Sequence, residues 1–125
     1  YHFNTISTRQ LKERRQKWYK EVKIVPSDLE LTQITLLHWW IGDGTLNKNR
    51  NYGWLLTDCF SEMEVNNLSN KINNLLNVNA KVSLCLDNNK NTVFRIYIPR
   101  ISLKEILHFI GSSPVKCYDY KWRIK

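Results

Sequence analysis

Apolar residues recur at Leu31, Ile34, Leu37 and Ile41, the three-to-four spacing of one helix face. Leu36, Trp39 and Trp40 widen that stripe until it runs nearly all round, so the spacing predicts a helix over 31–42 that is buried on several sides or packs against a partner helix. Val65, Leu68, Ile72, Leu75 and Leu76 repeat the same period. Ser61-Glu62-Met63-Glu64 places a capping box at the head of that segment, which predicts a second helix running to about Leu76. Between these helices the pattern shortens to two extended runs, about 45–48 and 52–58, around the polar turn "NKNRN". Residues 80–86 and 92–98 then alternate with a period of two, and "DNNKN" closes them into a hairpin. Val82, Leu84 and Leu86 face one way, and Lys81, Ser83 and Cys85 the other. On the return strand Phe94, Ile96 and Ile98 oppose Val93, Arg95 and Tyr97. Ser102-Leu103-Lys104-Glu105 reads as the cap of a third helix that stops at Gly111, with Pro114 and the tail "VKCYDYKWRIK" beyond it.

From residue 31 the order is α-β-β-α-β-β-α. That order predicts an α+β fold with an antiparallel sheet and its helices on one face. The opposite face carries Lys81, Arg95 and Tyr97 and is free to meet solvent or a ligand. Upstream, residues 1–6 read as a short strand, and Ser7-Thr8-Arg9-Gln10 as the cap of a helix running to about Tyr19. Pro26 bars a helix through the connector "VKIVPSDLE". The start of the chain repeats its end. "FNTISTRQLKE" (3–13) aligns with "FRIYIPRISLKE" (94–105) with one residue inserted, and "WYKEVKIVP" (18–26) with "CYDYKWRI" (117–124), placing Lys23 over Lys121. Residues 1–26 therefore read as the end of a preceding copy plus a connector, and 27–125 as one whole unit.

A chain of 125 residues suggests one domain with a modest core. Its net charge of +8 points to a polyanion, since lysine and arginine gain affinity by releasing counterions from phosphates. Cys59, Cys85 and Cys117 form no C-x-x-C or Cys/His spacing, which argues against a zinc site and fits a reducing compartment. His2, His38 and His108 form no local cluster. No apolar run reaches about 18 residues, so no membrane span is expected, and no secretory or transit peptide is visible. Because the chain opens at Tyr1 and not at Met, we expect either a removed segment or part of a longer product.

The stretch "LLHWWIGDG" (36–44) ends a buried-looking run on a carboxylate set between Gly42 and Gly44. It resembles the motif of the LAGLIDADG homing endonucleases, with Leu36 and Leu37 at its leading positions and Asp43-Gly44 at its close. "KIVPSDLELT" before it, "YGWLLTDCFSEMEV" after it and "IGSSPVKCYDYKW" near the end are similar to stretches of the subfamily whose single chains carry two motif copies. The resemblance thus covers essentially the whole chain. The usually small third position is His38, which reads as a partly polar residue near a helix interface, and the sixth is Ile41. Trp39 and Trp40 read as core.

The resemblance implies a sequence-specific double-strand DNA endonuclease that hydrolyses phosphodiesters with Mg²⁺ or another divalent ion such as Mn²⁺. Such members are intron-encoded or belong to other mobile elements. It makes Asp43 the catalytic acid and metal ligand, with Gly42 beside it at the metal. The physics agrees: Mg²⁺ wants hard oxygen ligands, and carbonyls at a helix C-terminus make an isolated acid unfavourable but a metal-neutralised one favourable. The ion would polarise the phosphoryl oxygen, activate a water and stabilise the leaving oxygen. In the family two such helices pack side by side, and each acid serves one strand. One motif is present here, so a second copy is expected, either upstream or in a second chain. Lys121 aligns with the family's active-site lysine and Lys23 with that of the preceding copy; each could stabilise charge on the phosphate. The resemblance also implies that the sheet's polar face lies in the major groove of double-stranded DNA. Lys48, Arg50, Tyr52, Trp54, Lys81, Ser83, Arg95 and Tyr97 are then the candidate readers, and Lys90 at the hairpin tip meets phosphate. The alternatives within the family are a group I intron maturase acting on intron RNA and a non-cleaving DNA-binding protein.

Overall fold

A computed structural model of the chain describes residues 19–20, 22–23, 25–26 and 29–125. The strand and helix predicted for 1–19 lie outside the described residues, apart from Tyr19. β1 (Tyr19–Lys20), a strand where the sequence predicts the end of that helix, and β2 (Val22–Lys23), within the expected connector, form a short antiparallel pair. There follow α1 (Gln33–Asp43), β3 (Gly44–Leu46), β4 (Gly53–Leu55), α2 (Glu62–Leu76), β5 (Lys81–Leu86), β6 (Thr92–Ile98), α3 (Arg100–Ile110) and a 3₁₀ helix (Lys116–Trp122). The main sheet is antiparallel throughout, in the order β3-β4-β6-β5. Leu55, Ile96 and Ile98 on one sheet face bury against Leu36 and Trp40 of α1, Val65, Leu68 and Ile72 of α2, and Leu103 and Ile106 of α3. This is the predicted α+β layering, with the described α-helices on one face of the sheet.

α1 starts at a cap that the sequence reading misses. Thr32 accepts the Thr35 N–H at 3.2 Å, and Thr35 Oγ1 accepts the Thr32 N–H at 2.6 Å, a capping box with threonine in place of glutamate. The helix does not bury all its apolar residues. Leu36 and Trp40 enter the core, whereas Leu37 and Ile41 are half-buried and Ile34 is 66% exposed. The regular Ile34/Leu37/Ile41 stripe is thus the less covered side of the helix.

Trp40 also explains one of the two glycines beside Asp43. A Cβ on Gly44 would sit 2.2 Å from the Trp40 ring and 2.5 Å from its carbonyl oxygen. Gly53, across the ladder in β4, packs against the same indole, with a Cβ position 3.1 Å from its edge. Gly44 needs no unusual backbone angle (φ −77°); it is small because the indole lies beneath it. Gly42 has open space where a Cβ would be. Gly44→Ala should therefore destabilise the fold by about 1–3 kcal/mol through overpacking. Gly42→Ala, in a helix, should be neutral or stabilising by about 0.5–1 kcal/mol. Urea denaturation of the two variants checks the contrast, and equal losses would refute the indole argument.

Several boundaries differ from expectation, each for a visible reason. β3 and β4 are three residues each, shorter than predicted. Asn47 Oδ1 accepts the N–H groups of Asn51 and Tyr52 at 2.7 and 3.2 Å and folds the chain into a loop early. At the other end Leu56 donates its N–H to the Asp43 carbonyl at 3.0 Å, and Thr57 donates its hydroxyl to the Phe94 carbonyl at 2.7 Å. Ser61 caps α2 as predicted, accepting the Glu64 N–H at 3.4 Å. Glu64 does not return the bond; its carboxylate accepts the Val25 N–H at 3.3 Å and pins the connector. α3 begins two residues before the predicted Ser102 cap. Pro99 ends β6 and offers its carbonyl to the Leu103 N–H at 2.8 Å, while Ser102 is buried and accepts the Asn79 N–H at 2.9 Å. The helix stops at Gly111, at φ 83°, as expected. The β5–β6 hairpin has the predicted faces, with Lys81 opposite Tyr97 and Ser83 opposite Arg95. Leu84 and Leu86 nevertheless stay more than 60% exposed on the core side, while Val93 on the polar side is buried.

Candidate functional site

α1 ends at Asp43, and β3 begins at the next residue. The Asp43 carbonyl is fixed by Leu56, so its side chain projects from a rigid junction, and that residue is exposed. Ile41, one turn-end carbonyl earlier, lacks a partner within the helix in the way all terminal carbonyls do. Lys121 supplies one: its Nζ donates to the Ile41 carbonyl at 2.5 Å. The lysine comes from the 3₁₀ helix, in the segment that the sequence reading leaves as a basic, aromatic tail. That helix is held by Trp122 Nε1, which donates to the Gly111 carbonyl at 2.7 Å. Beyond it the Lys125 N–H reaches the Arg50 carbonyl at 2.8 Å.

Lys121 is buried, and burial pushes its pKa below the ordinary lysine value, while the negative charge of Asp43 pulls it back up. Its ammonium lies 5.9 Å from the centre of the Tyr118 ring. The fold thus brings together two of the predicted catalytic residues, 78 positions apart in the sequence by subtraction of their numbers. Lys23 lies on β2, and only its backbone is described. Gly42 is exposed on α1 beside Asp43.

The donor chemistry fits a hard divalent ion. Asp43 offers an exposed carboxylate at the negative end of a helix. No group of three or more His, Cys, Asp or Glu is gathered among the described residues to enclose a metal alone. An ion held there would keep open positions for water and for oxygens from a partner or substrate, the habit of Mg²⁺. Along the same helix runs a cleft of about 350 Å³, lined by Leu31, Ile34, His38, Trp39 and Phe60 among others, with Asp43 at its edge. His38 is exposed on this side.

On the outer sheet face Trp54 pairs with Tyr97 across β4 and β6, and Tyr52 completes an aromatic cluster. The ring centres are 5.1 Å apart for Tyr52–Tyr97, 5.2 Å for Trp54–Tyr97 and 6.1 Å for Tyr52–Trp54. Lys81 and Ser83 flank it on β5. Arg95 belongs to the same face but is already engaged: its Nε and Nη2 each donate at 2.7 Å to the two carboxylate oxygens of Asp58. That bond raises the Arg95 pKa further. Asp58 is the functional candidate that sequence reasoning misses, because 37 residues separate it from its partner and no spacing rule joins them. Lys48 and Arg50 sit in the exposed β3–β4 loop, not on a strand, and Lys90 is exposed in the hairpin turn at φ 63°. The candidate readers therefore divide into a sheet face and two loop tips.

Comparison with known proteins follows this geometry. The sequence model of the LAGLIDADG DNA endonuclease family matches residues 1–106. An uncharacterized protein of Methanocaldococcus jannaschii is 27% identical over 137 aligned positions, which cover 98% of this chain and 51% of that protein. Among solved structures, the homing endonuclease I-WcaI bound to its DNA recognition sequence matches with a TM-score of 0.73 at 24% identity, over 91% of this chain and 52% of that one. The chain thus spans about half the length of these two relatives. No helix among the described residues is long and apolar enough to cross a membrane.

Proposed function

The chain belongs to the LAGLIDADG DNA endonuclease family, and on that premise we propose that it supplies one of two acids of a divalent-metal-dependent, sequence-specific double-strand DNA endonuclease. The observation that carries this reading is the corner where an exposed Asp43 closes α1 and a buried Lys121 caps the same helix end. Asp43, with the Gly42 carbonyl beside it, would hold the ion. When bound there, Mg²⁺ or Mn²⁺ supplies charge stabilisation at a phosphoryl oxygen and lowers the pKa of a water. Lys121 keeps a cation beside the helix end, where it offsets charge gathering on the scissile phosphate. The outer sheet face, with Tyr52, Trp54, Lys81, Ser83 and Tyr97, lies along the duplex, and Lys48, Arg50 and Lys90 hold phosphates from the loop tips.

One motif makes half of a paired site. The second copy would pack on the less covered side of α1, and two facts support this: Ile34 is exposed there, and the relatives are about twice as long. Residues 1–26 would then be the end of that preceding copy, with Lys23 as the counterpart of Lys121; a second chain is the other route.

The reading is tested by incubating the complete protein with supercoiled DNA carrying its target, with and without Mg²⁺. Metal-dependent linear product supports it. Binding without any cleavage would return the chain to the non-cleaving branch of the family. Lys121→Met is expected to slow cleavage about 10²-fold, the usual cost of removing one charge-stabilising donor. Duplex affinity should stay within about twofold, since one buried lysine contributes little to the polyelectrolyte effect. A parallel loss of binding would reduce Lys121 to a scaffold role.

A further inference from the structure

We propose that Asp58 positions Arg95 to read a guanine in the major groove, a role that rests on the outer sheet face being the DNA-facing one. The arginine fork has five N–H groups, and Asp58 takes one from Nε and one from Nη2. No other described residue accepts the remaining three. Two of those three, one on each terminal nitrogen, lie along the Nη1–Nη2 edge, the edge that pairs end-on with guanine O6 and N7. A carboxylate clamped on one side of a guanidinium fixes its plane and leaves the opposite edge as a two-donor reader.

Both members of the pair are held independently. Arg95 is in the middle of β6, opposite Ser83. Asp58 follows Thr57, which is buried and bonded through its hydroxyl to the Phe94 carbonyl on that same strand. The turn bearing Asp58 is therefore tied to the strand bearing Arg95, one residue away. A loose surface ion pair would show no such support. The half-exposed setting also leaves the free edge accessible, since both side chains remain partly in solvent. Among the described side chains of that sheet face, Arg95 is the one planar donor fork. It accordingly sets a single base position and not general affinity.

The test is selection from a pool of randomised duplex DNA by binding, without divalent ion, using the complete protein and its Asp58→Asn and Arg95→Lys variants. The wild type should yield a motif containing a strongly preferred guanine. Both substitutions should reduce that preference about tenfold at the same position and leave the other positions unchanged. Asp58→Asn should also bind bulk duplex at least as tightly as the wild type, because it removes a negative charge. The double variant should lose no more than Arg95→Lys alone. Thermal melting of each variant shows that both remain folded. A wild-type motif that survives intact in either variant overturns the inference, as does a loss spread evenly across every position. A wild type that selects no motif overturns the sequence-specific reading itself, and this inference with it.

Discussion

Asp43→Asn is expected to stop cleavage of the strand this chain serves while leaving duplex binding in place. In the complete protein the product should change from a double-strand break to a nick. The carboxylate accepts no hydrogen bond from any described residue, and the residue is exposed, so the substitution removes a charge and little else. Its backbone carbonyl, which holds Leu56, is untouched. Loss of a metal-binding carboxylate forfeits several kcal/mol of transition-state stabilisation; about 4 kcal/mol corresponds to about 10³ in rate. Single-turnover kinetics on target DNA, with each strand labelled separately, measures the loss. Both strands cut at the wild-type rate would remove Asp43 from the chemistry.

Trp40→Ala should have the largest effect on stability. The indole is fully buried in the middle of the core, and Gly44 and Gly53 both close on it. Truncating a buried tryptophan costs about 3–5 kcal/mol, set against about 5–15 kcal/mol for a whole domain. Trp40→Phe should cost much less than its lost volume suggests. The Trp40 Nε1 is buried with no hydrogen-bond partner among the described residues, and phenylalanine removes that unsatisfied group. Urea denaturation orders the three proteins. An alanine variant as stable as the phenylalanine one would mean that the site collapses around the missing ring.

The elements with unbroken periodicity were readable directly. α2 follows its 3.6-residue stripe, and β5 and β6 pair in the register that their alternation predicts, although burial departs from it at Leu84, Leu86 and Val93. α1 was readable as a helix but not in its orientation. Its most regular stripe is only partly covered, with Leu31 and Leu37 at the margin of the core and Ile34 exposed, because a helix with apolar residues on nearly every side gives no rule for which side wins. Ser102 misled because a serine followed three residues later by glutamate has the form of a cap; here its hydroxyl serves Asn79 instead. The resemblance points to Asp43 and Lys121, and the fold brings the lysine to the end of α1 through a 3₁₀ helix that has no hydrophobic period to announce it. Asp58 left no trace at all, since its meaning comes from a contact between a turn and a distant strand.

The central claim is that this chain contributes a metal-dependent catalytic acid to sequence-specific DNA cleavage. Capture and sequencing of cleaved ends tests it most directly: a randomised duplex library is incubated with the complete protein and Mg²⁺, in parallel with its Asp43→Asn variant. The account predicts one recurrent site, cut in both strands with staggered ends by the wild type, with no double-strand ends from the variant. Cleaved ends without a common sequence, or the same double-strand cuts from both proteins, would contradict it.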